Sequence, residues 1–516
     1  MPSDPLTIKT DIVVIGGGGS GLAAAAEAAR LGRSVILLEK EPNLGGSTAW
    51  SVGSISATNT PHQQAAGIKD TPDEHFEDLG LLNAQFAGRD NPALRRLLVD
   101  RTNELIEWLT SIGLVFMGPM SEDPHRYPRM HNVLPNSHAF PYHLGRHCRS
   151  LGVDIRLNTA ATSLIEEDGR VTAVQARRVD GTIYAIRASG GVILASGDFS
   201  ASPELKARYA ADQEVANVDP VNPAANGTGL NLALDLGAEI VNGDIIRGPI
   251  LRFIPPTRPS IMLRLPPWRP VALFMRWAAE NLPAAILRPF MMSFLTTALG
   301  PSPDLFREGA ILVNKQGTRF ADEMNTPAKT TAKQTDAMAY IVFDQALADK
   351  LDTYPYFIST APGIAYAYLD DYRRNRSDIF HTATTLEDLA TRILVPPDAL
   401  NLAVTNHNRT ALEGSRRTIN QPKYYALGPV KAYVVLTEGG LRVNERLEVL
   451  RGGIAIPGLY AAGSSGQGGA LLEGHGHHLG WAFISGRIAG RNAAFEVPPA
   501  TRSNRAEMVS NVDGHV

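Results

Sequence analysis

The chain has one cysteine, Cys148, in 516 residues, which excludes intrachain disulfides and a haem-attachment C-x-x-C-H motif. It also lacks a charge excess. With 49 Lys and Arg against 52 Asp and Glu, the formal net charge is −3, so no basic surplus is available to neutralise a nucleic-acid backbone, and no nucleic-acid partner is expected. The first ten residues, MPSDPLTIKT, hold no apolar core of the kind a secretory signal needs, so a reducing, cytoplasmic setting is expected. Between Arg252 and Asp304 the longest uncharged run is 289–303, bounded by proline and short of the roughly 18 residues a membrane span requires. No internal repeat is visible. What is present is a 44% hydrophobic chain long enough to fill the cores of two or more domains.

The N-terminus carries the strongest pattern. Residues 12–15 (IVVI) read as a buried parallel strand, and Gly16, Gly18 and Gly21 then fall on the spacing G-x-G-x-x-G before an Ala-rich helix. The first glycine permits the tight turn, the second lets the backbone approach a pyrophosphate, and the third lets helix and strand pack closely. Amides at the helix start, around Gly19 and Ser20, are placed to hold phosphates. A second strand, 34–38, ends in Glu39, a carboxylate suited to ribose hydroxyls, with Lys40 beside it. No second strand, glycine turn and helix of this kind follows, so a separate nicotinamide domain is not expected.

The residues after Glu39 include Gly45, Gly46, Ser47, Thr48 and Gly53. This stretch resembles the second glycine motif of FAD-dependent oxidoreductases in the superfamily of fumarate reductase and succinate dehydrogenase flavoproteins and 3-ketosteroid dehydrogenases. Further stretches resemble that superfamily in its order: 153–161 ending in Ala161, 190–199 with Ser196, Gly197 and Asp198, 226–238, 309–323, and 456–463 ending in Gly463. The resemblance implies an α/β chain: a Rossmann-like FAD-binding domain of the glutathione-reductase type with an inserted α+β capping domain. Boundaries are expected at 1–244 and 430–497 for the two parts of the FAD domain and 245–429 for the cap, with 498–516 a flexible tail. It implies FAD as cofactor, held non-covalently because Ser47-Thr48-Ala49 replaces the tethering histidine of succinate dehydrogenases.

It also implies the chemistry. Superfamily members add or remove hydrogen across a C–C bond beside a carbonyl or carboxylate, with hydride exchanged at flavin N5 and a side chain moving the second proton. Several usual residues are missing here. Pro327 stands where fumarate reductases place the proton-donating arginine and ketosteroid 1-dehydrogenases commonly place a tyrosine. Leu436-Thr437-Glu438-Gly439-Gly440 replaces His-Thr-Met-Gly-Gly, and His478 replaces a substrate arginine. A C4-dicarboxylate substrate is therefore not expected. The stretch 474–480 is closer to the ketosteroid dehydrogenases, where Gly476 would bind a substrate carbonyl and Leu479-Gly480 would face the flavin. His475, His477, His478, Glu438 and Tyr127 are the candidates for catalysis, and Arg126 and His131 for substrate contact beside Gly476. Each has a structural alternative, such as a capping or loop role. As a metal pattern, H-x-H-H without partnering cysteines or acids is weak, and no metal is expected.

Residues 250–300 carry six arginines against one acid, Glu280, interleaved with Trp268, Phe274, Trp277, Phe290 and Phe294 and broken by prolines. The leading expectation is an amphipathic lid over the active site, and the second is peripheral contact with a membrane surface. Both favour a small lipophilic substrate, such as a 3-ketosteroid, with electrons exchanged through an external carrier: a quinone, oxygen or a redox protein. Two alternatives stay open. One is a reductase of an unsaturated carboxylic acid held by Arg126, Arg129 or Arg247, and the other is a non-catalytic flavin-binding protein.

Overall fold

The computed structural model describes residues 6–497 except 259, 362–364 and 413–415; the expected tail, 498–516, lies outside them. The first strand, Leu6–Ile15, pairs in parallel with Val35–Leu38 on one side and Ile183–Leu194 on the other. Asp154–Arg156 extends the sheet beyond Val35–Leu38, and Ile454–Ala461 extends it beyond Ile183–Leu194. Ile12, Val13 and Val14 are fully buried, as expected for a strand covered on both faces. The hairpin Thr159–Glu167 and Arg170–Arg178 adds to the N-terminal half of Ile183–Leu194, and Glu448–Arg451 closes the other edge.

Two helices from opposite ends of the chain pack on this sheet, Gly19–Arg30 and His477–Phe495. Glycine sets their separation. A Cβ on Gly486 would lie 2.3 Å from the carbonyl oxygen of Ser20, and one on Gly490 2.3 Å from that of Ala24.

A second sheet, all antiparallel, runs Ile250–Phe253, Tyr424–Tyr433, Met338–Asp344, Ile311–Val313, with Phe380–Ala383 also on Tyr424–Tyr433. The chain crosses between the layers on two short antiparallel ladders, Ile240–Val241 with Gly440–Leu441 and Ile246–Arg247 with Leu436–Thr437. The return expected at 430 falls inside strand Tyr424–Tyr433, because pairing with Ile250–Phe253 continues to Tyr433.

The proline-rich stretch is less broken than its sequence suggests. It forms helices Ile261–Arg264, Arg269–Asn281 and Ala284–Ala298, the last running through Pro289. Most of its prolines sit between or at the starts of helices, where the missing N–H costs little.

The helix contact yields a prediction. Gly490→Ala forces a Cβ onto backbone, and overpacking of this kind costs about 1–3 kcal/mol. Thermal unfolding should fall accordingly, and flavin should be released at lower temperature than from the parent protein.

Candidate active site

The turn after the first strand opens a cleft of about 920 Å3. Gly16 has φ +113°, and a Cβ there would meet the Ala195 carbonyl at 2.4 Å, while one on Gly21 would meet the Gly16 carbonyl at 1.8 Å. Gly18 differs: the nearest atom to its virtual Cβ is 3.8 Å away, so its backbone is open toward the cleft. Helix Gly19–Arg30 begins here with no capping side chain and no acid in its first turn, leaving amides free for an anion. Ser20, Ser196, Gly197 and Gly463 line the same cleft.

At one end of the cleft stand Glu39, Lys40 and Ala161. Glu39 accepts from the Gly17 amide at 2.6 Å and the Glu41 amide at 2.9 Å, while burial raises its pKa. Lys40 donates to the Ala224 carbonyl at 2.6 Å and Asn226 Oδ1 at 2.8 Å. The second glycine motif docks onto the first, with the Gly45 amide donating to the Gly17 carbonyl at 2.9 Å and the Gly19 amide to Thr48 Oγ1 at 3.2 Å. Gly46, Ser47 and Thr48 line the cleft, and Asn222 donates to Ser47 Oγ at 2.8 Å. A carboxylate end, a helix N-terminus midway and a glycine-rich far end fit an adenine dinucleotide.

Other residues expected at the cofactor stand outside the cleft lining. Gly45 and Gly21 shape it from behind. Gly53 accepts from the Val133 amide, and Asp198 is buried, accepting from the Thr437 and Ser200 amides. Leu479 and Gly480 lie in the first turn of helix His477–Phe495, whose N-cap is Gly476 at φ +92°. The free amides of that turn form a second positive helix end. Gly476 presses on the strand Ser54–Ser56, where a Cβ would lie 2.4 Å from the Ser56 amide nitrogen.

The three neighbouring histidines diverge. His475 Nδ1 meets Glu122 Oε1 at 2.5 Å, and this bond raises its pKa. His477 is fully buried and burial pushes its pKa well down; its Nδ1 donates to the Glu473 carbonyl at 2.7 Å. His478 Nε2 lies 3.6 Å from Glu438 Oε1. Glu438 also accepts from Arg247 Nε at 2.7 Å and from Gln467, and Arg247 binds Glu473 in turn. Burial opposes the charge on Glu438, but His478 and Arg247 outweigh it and hold its pKa at about 2. A carboxylate so stabilised is a weak base, which counts against Glu438 as a proton acceptor.

The substrate contacts expected near residue 130 are corrected too. Arg126 pairs with Glu77 and Asp78, and Tyr127 donates to Glu74 Oε1 at 3.3 Å. His131 is fully buried between Thr60 Oγ1 and the Arg129 carbonyl, with its pKa lowered by burial to about 4. None of the three lines the cleft.

A second cleft, of about 1030 Å3, lies between the two layers. Ala49 to Val52 and Val221 form one wall, directly following the cofactor-cleft residues Gly46 to Thr48 and preceding Asn222. The other wall is cap: Phe253, Pro255, Pro256, Leu263, Phe294 and Ala298. Arg252 and Tyr433 enter this apolar space. They share a face of the ladder in which Arg252 opposes Lys431 and Ile250 opposes Tyr433. Arg252 donates to the Ala298 carbonyl at 2.6 Å, and among the described residues no carboxylate pairs with it. Burial lowers its pKa and raises that of Tyr433. Neither residue belongs to a motif legible in the sequence.

The Glu438 cluster gives two expectations. Its folded pKa of about 2 lies below the usual 4.5, so its stabilisation is present above pH 4.5 and lost as pH falls toward 2. Acid unfolding followed by circular dichroism should show a shallower loss over that window in Glu438→Gln. Arg247→Ala leaves a buried carboxylate short of its partner and should cost about 3–5 kcal/mol in urea unfolding.

Comparison with known proteins accords with this geometry. A family model described as FAD binding domain matches residues 11–249 and 279–471. The fumarate reductase (cytochrome) of Shewanella frigidimarina is 28% identical over 94% of this chain and 77% of its own length. The vinyl phenol reductase of Lactiplantibacillus plantarum is 27% identical over 94% of this chain and 96% of its own. Among solved structures, the 3-ketosteroid delta1-dehydrogenase of Sterolibacterium denitrificans shares the fold with a TM-score of 0.64 at 20% identity, covering 94% of this chain and 99% of that one. The chain therefore belongs to the FAD binding domain family and is an FAD-dependent oxidoreductase.

Proposed function

We propose that this enzyme reduces or desaturates a C–C bond conjugated to an oxygen function in a hydrophobic substrate, a ketone of the 3-ketosteroid type being the favoured class. The observation that carries the reading is the apolar cleft beside the cofactor cleft with one half-buried, acid-free guanidinium, Arg252, and Tyr433 in its lining. A buried charge without a counter-ion costs several kcal/mol, and a substrate oxygen gaining negative charge would offset that cost. The relatives named for acting on fumarate and vinyl phenol both reduce unsaturated compounds, which supports the reaction class. Arg252 lies in the stretch 250–278 that the family model leaves unmatched, so this chain supplies its own oxygen-binding group.

When bound, FAD supplies the two-electron chemistry at carbon. The roles of the chain are separate. Phe253, Leu263 and Phe294 hold the apolar body of the substrate and exclude water. Arg252 orients and polarises its oxygen. Tyr433, kept protonated by burial, moves the proton. An unsaturated carboxylic acid held by Arg126, Arg129 or Arg247 is the weaker reading, because all three are already committed to carboxylates. Electrons come from or pass to a carrier outside the chain.

The lid also has an outer face. Phe274 is 64% exposed, Trp268 55%, Phe290 53% and Trp277 51%, alongside Arg264, Arg269 and Arg276. No helix among the described residues is long and apolar enough to cross a membrane. This face instead fits an anionic bilayer surface, where aromatic rings insert and arginines meet headgroups. Such docking would open the apolar cleft toward lipid-dissolved substrate and quinone.

Tyr433→Phe should lower kcat about 10²–10⁴-fold with KM little changed, and Arg252→Gln should raise KM as well as lower kcat. Unchanged kcat in both variants, with normal flavin content, would remove these residues from the reaction. In sedimentation with vesicles, the protein should bind phosphatidylglycerol more than phosphatidylcholine, less at high salt and less as Phe274→Ser. No preference between the two lipids would count against the docking face.

A further inference from the structure

We propose that His75, His125 and His477 form a binding site for a zinc-class divalent cation beneath the helix end that faces the cofactor. The three residues come from different places: His75 from helix Pro72–Leu82, His125 from the segment before strand Met130–Leu134, and His477 from the first turn of helix His477–Phe495. All three are buried, and their ligand atoms lie within 4.8 Å of one another. This is not the H-x-H-H pattern of the sequence, whose other two members face Glu122 and Glu438.

The geometry is that of a tris-imidazole site. Nitrogens about 2.05 Å from a tetrahedral ion place the ring centres about 5 Å apart. Here the centroids are separated by 5.3 Å for His75 and His477, 5.3 Å for His125 and His477, and 5.6 Å for His75 and His125. The Nε2 atoms of His75 and His477 are 3.1 Å apart. Nε2 of His125 is buried with no hydrogen-bond partner among the described residues. Burial lowers the pKa of all three rings, keeping them in the neutral form that a metal binds.

Two of the rings have an oxygen within reach of Nδ1, as metal-bound histidines require. His477 donates to the Glu473 carbonyl at 2.7 Å, and His75 Nδ1 lies 2.6 Å from Thr58 Oγ1. His125 Nδ1 lies 3.9 Å from Asp78 Oδ2, a gap that a small ring shift closes by opening its 2.9 Å contact with Arg129. Arg129 keeps its bonds to Asp70 and Asp78 throughout. Metal binding then needs the His125 ring shift and tautomer changes: His75 and His125 carry their protons on Nδ1, and all three Nε2 lone pairs face the ion. Without an ion the rings form a neutral relay, from Thr58 through His75 to His477 and Glu473, which leaves His125 Nε2 unsatisfied. Such an ion would staple the early and late parts of the FAD domain together.

The test uses the purified flavin-loaded protein, stripped with a chelator, reloaded with Zn2+ and desalted. Plasma mass spectrometry should find about one zinc per chain, and unfolding temperature should rise on reloading. His125→Gln should retain at least about tenfold less zinc, and Thr58→Val should weaken zinc binding about 10–100-fold, with flavin content unchanged. Absence of retained zinc in the parent protein would overturn the site, as would full retention in His125→Gln. If His125→Gln loses its flavin, Thr58→Val decides, and unchanged zinc affinity there would also overturn it.

Discussion

The contact on which the rest depends is backbone on backbone: Gly486 and Gly490 of the last helix against the Ser20 and Ala24 carbonyls of the first. Because neither glycine has a side chain, two helices from opposite ends of the chain pack backbone to backbone in parallel, Gly486 beside Ser20 and Gly490 beside Ala24. The start of the first helix at Ser20 and the second turn of the last helix at Ala482 then line one cleft. The cleft is built where the first glycine turn, the start of the first helix and the second turn of the last meet. A larger residue at either glycine forces the two helices apart and distorts that wall.

Two arginines in the interior are matched by pairs of carboxylates. Arg129 is locked between Asp70 and Asp78, and Arg247 between Glu438 and Glu473. These pairs fix the walls around the cofactor-facing helix and leave nothing free for a substrate. Arg252 has only the Ala298 carbonyl, inside an apolar cleft. On the proposed function, Arg252 so placed would meet an oxygen that arrives with the substrate.

Legibility in the sequence follows the range of the interactions. Strand, glycine turn, helix and Glu39 are contiguous, and each glycine answers a local steric demand, so the cofactor cleft could be read directly. The second layer was readable as a cap from its place between two FAD segments, but Tyr433 and Arg252 meet only through antiparallel pairing across about 180 residues. The histidines show the same limit from the other side. His475, His477 and His478 are near neighbours in sequence, yet a helix start turns successive side chains by about 100°, so each finds a different partner. His75 and His125, with no motif around them, are the ones that meet His477. Of the expected substrate contacts, Arg126 and Tyr127 meet nearby acids and His131 meets Thr60 and the Arg129 carbonyl, partners that no local motif announces.

On the proposed function, the cleft at Arg252 takes a hydrophobic substrate with a conjugated oxygen. The most direct test is anaerobic: the flavin of the purified protein is photoreduced, and its absorbance is followed after mixing with a hydrophobic enone or with fumarate. The oxidised flavin spectrum should return rapidly with the enone, more slowly in Arg252→Gln, and little with fumarate. Reoxidation by fumarate at a rate equal to or above that of the enone, unaffected by Arg252→Gln, would contradict that function.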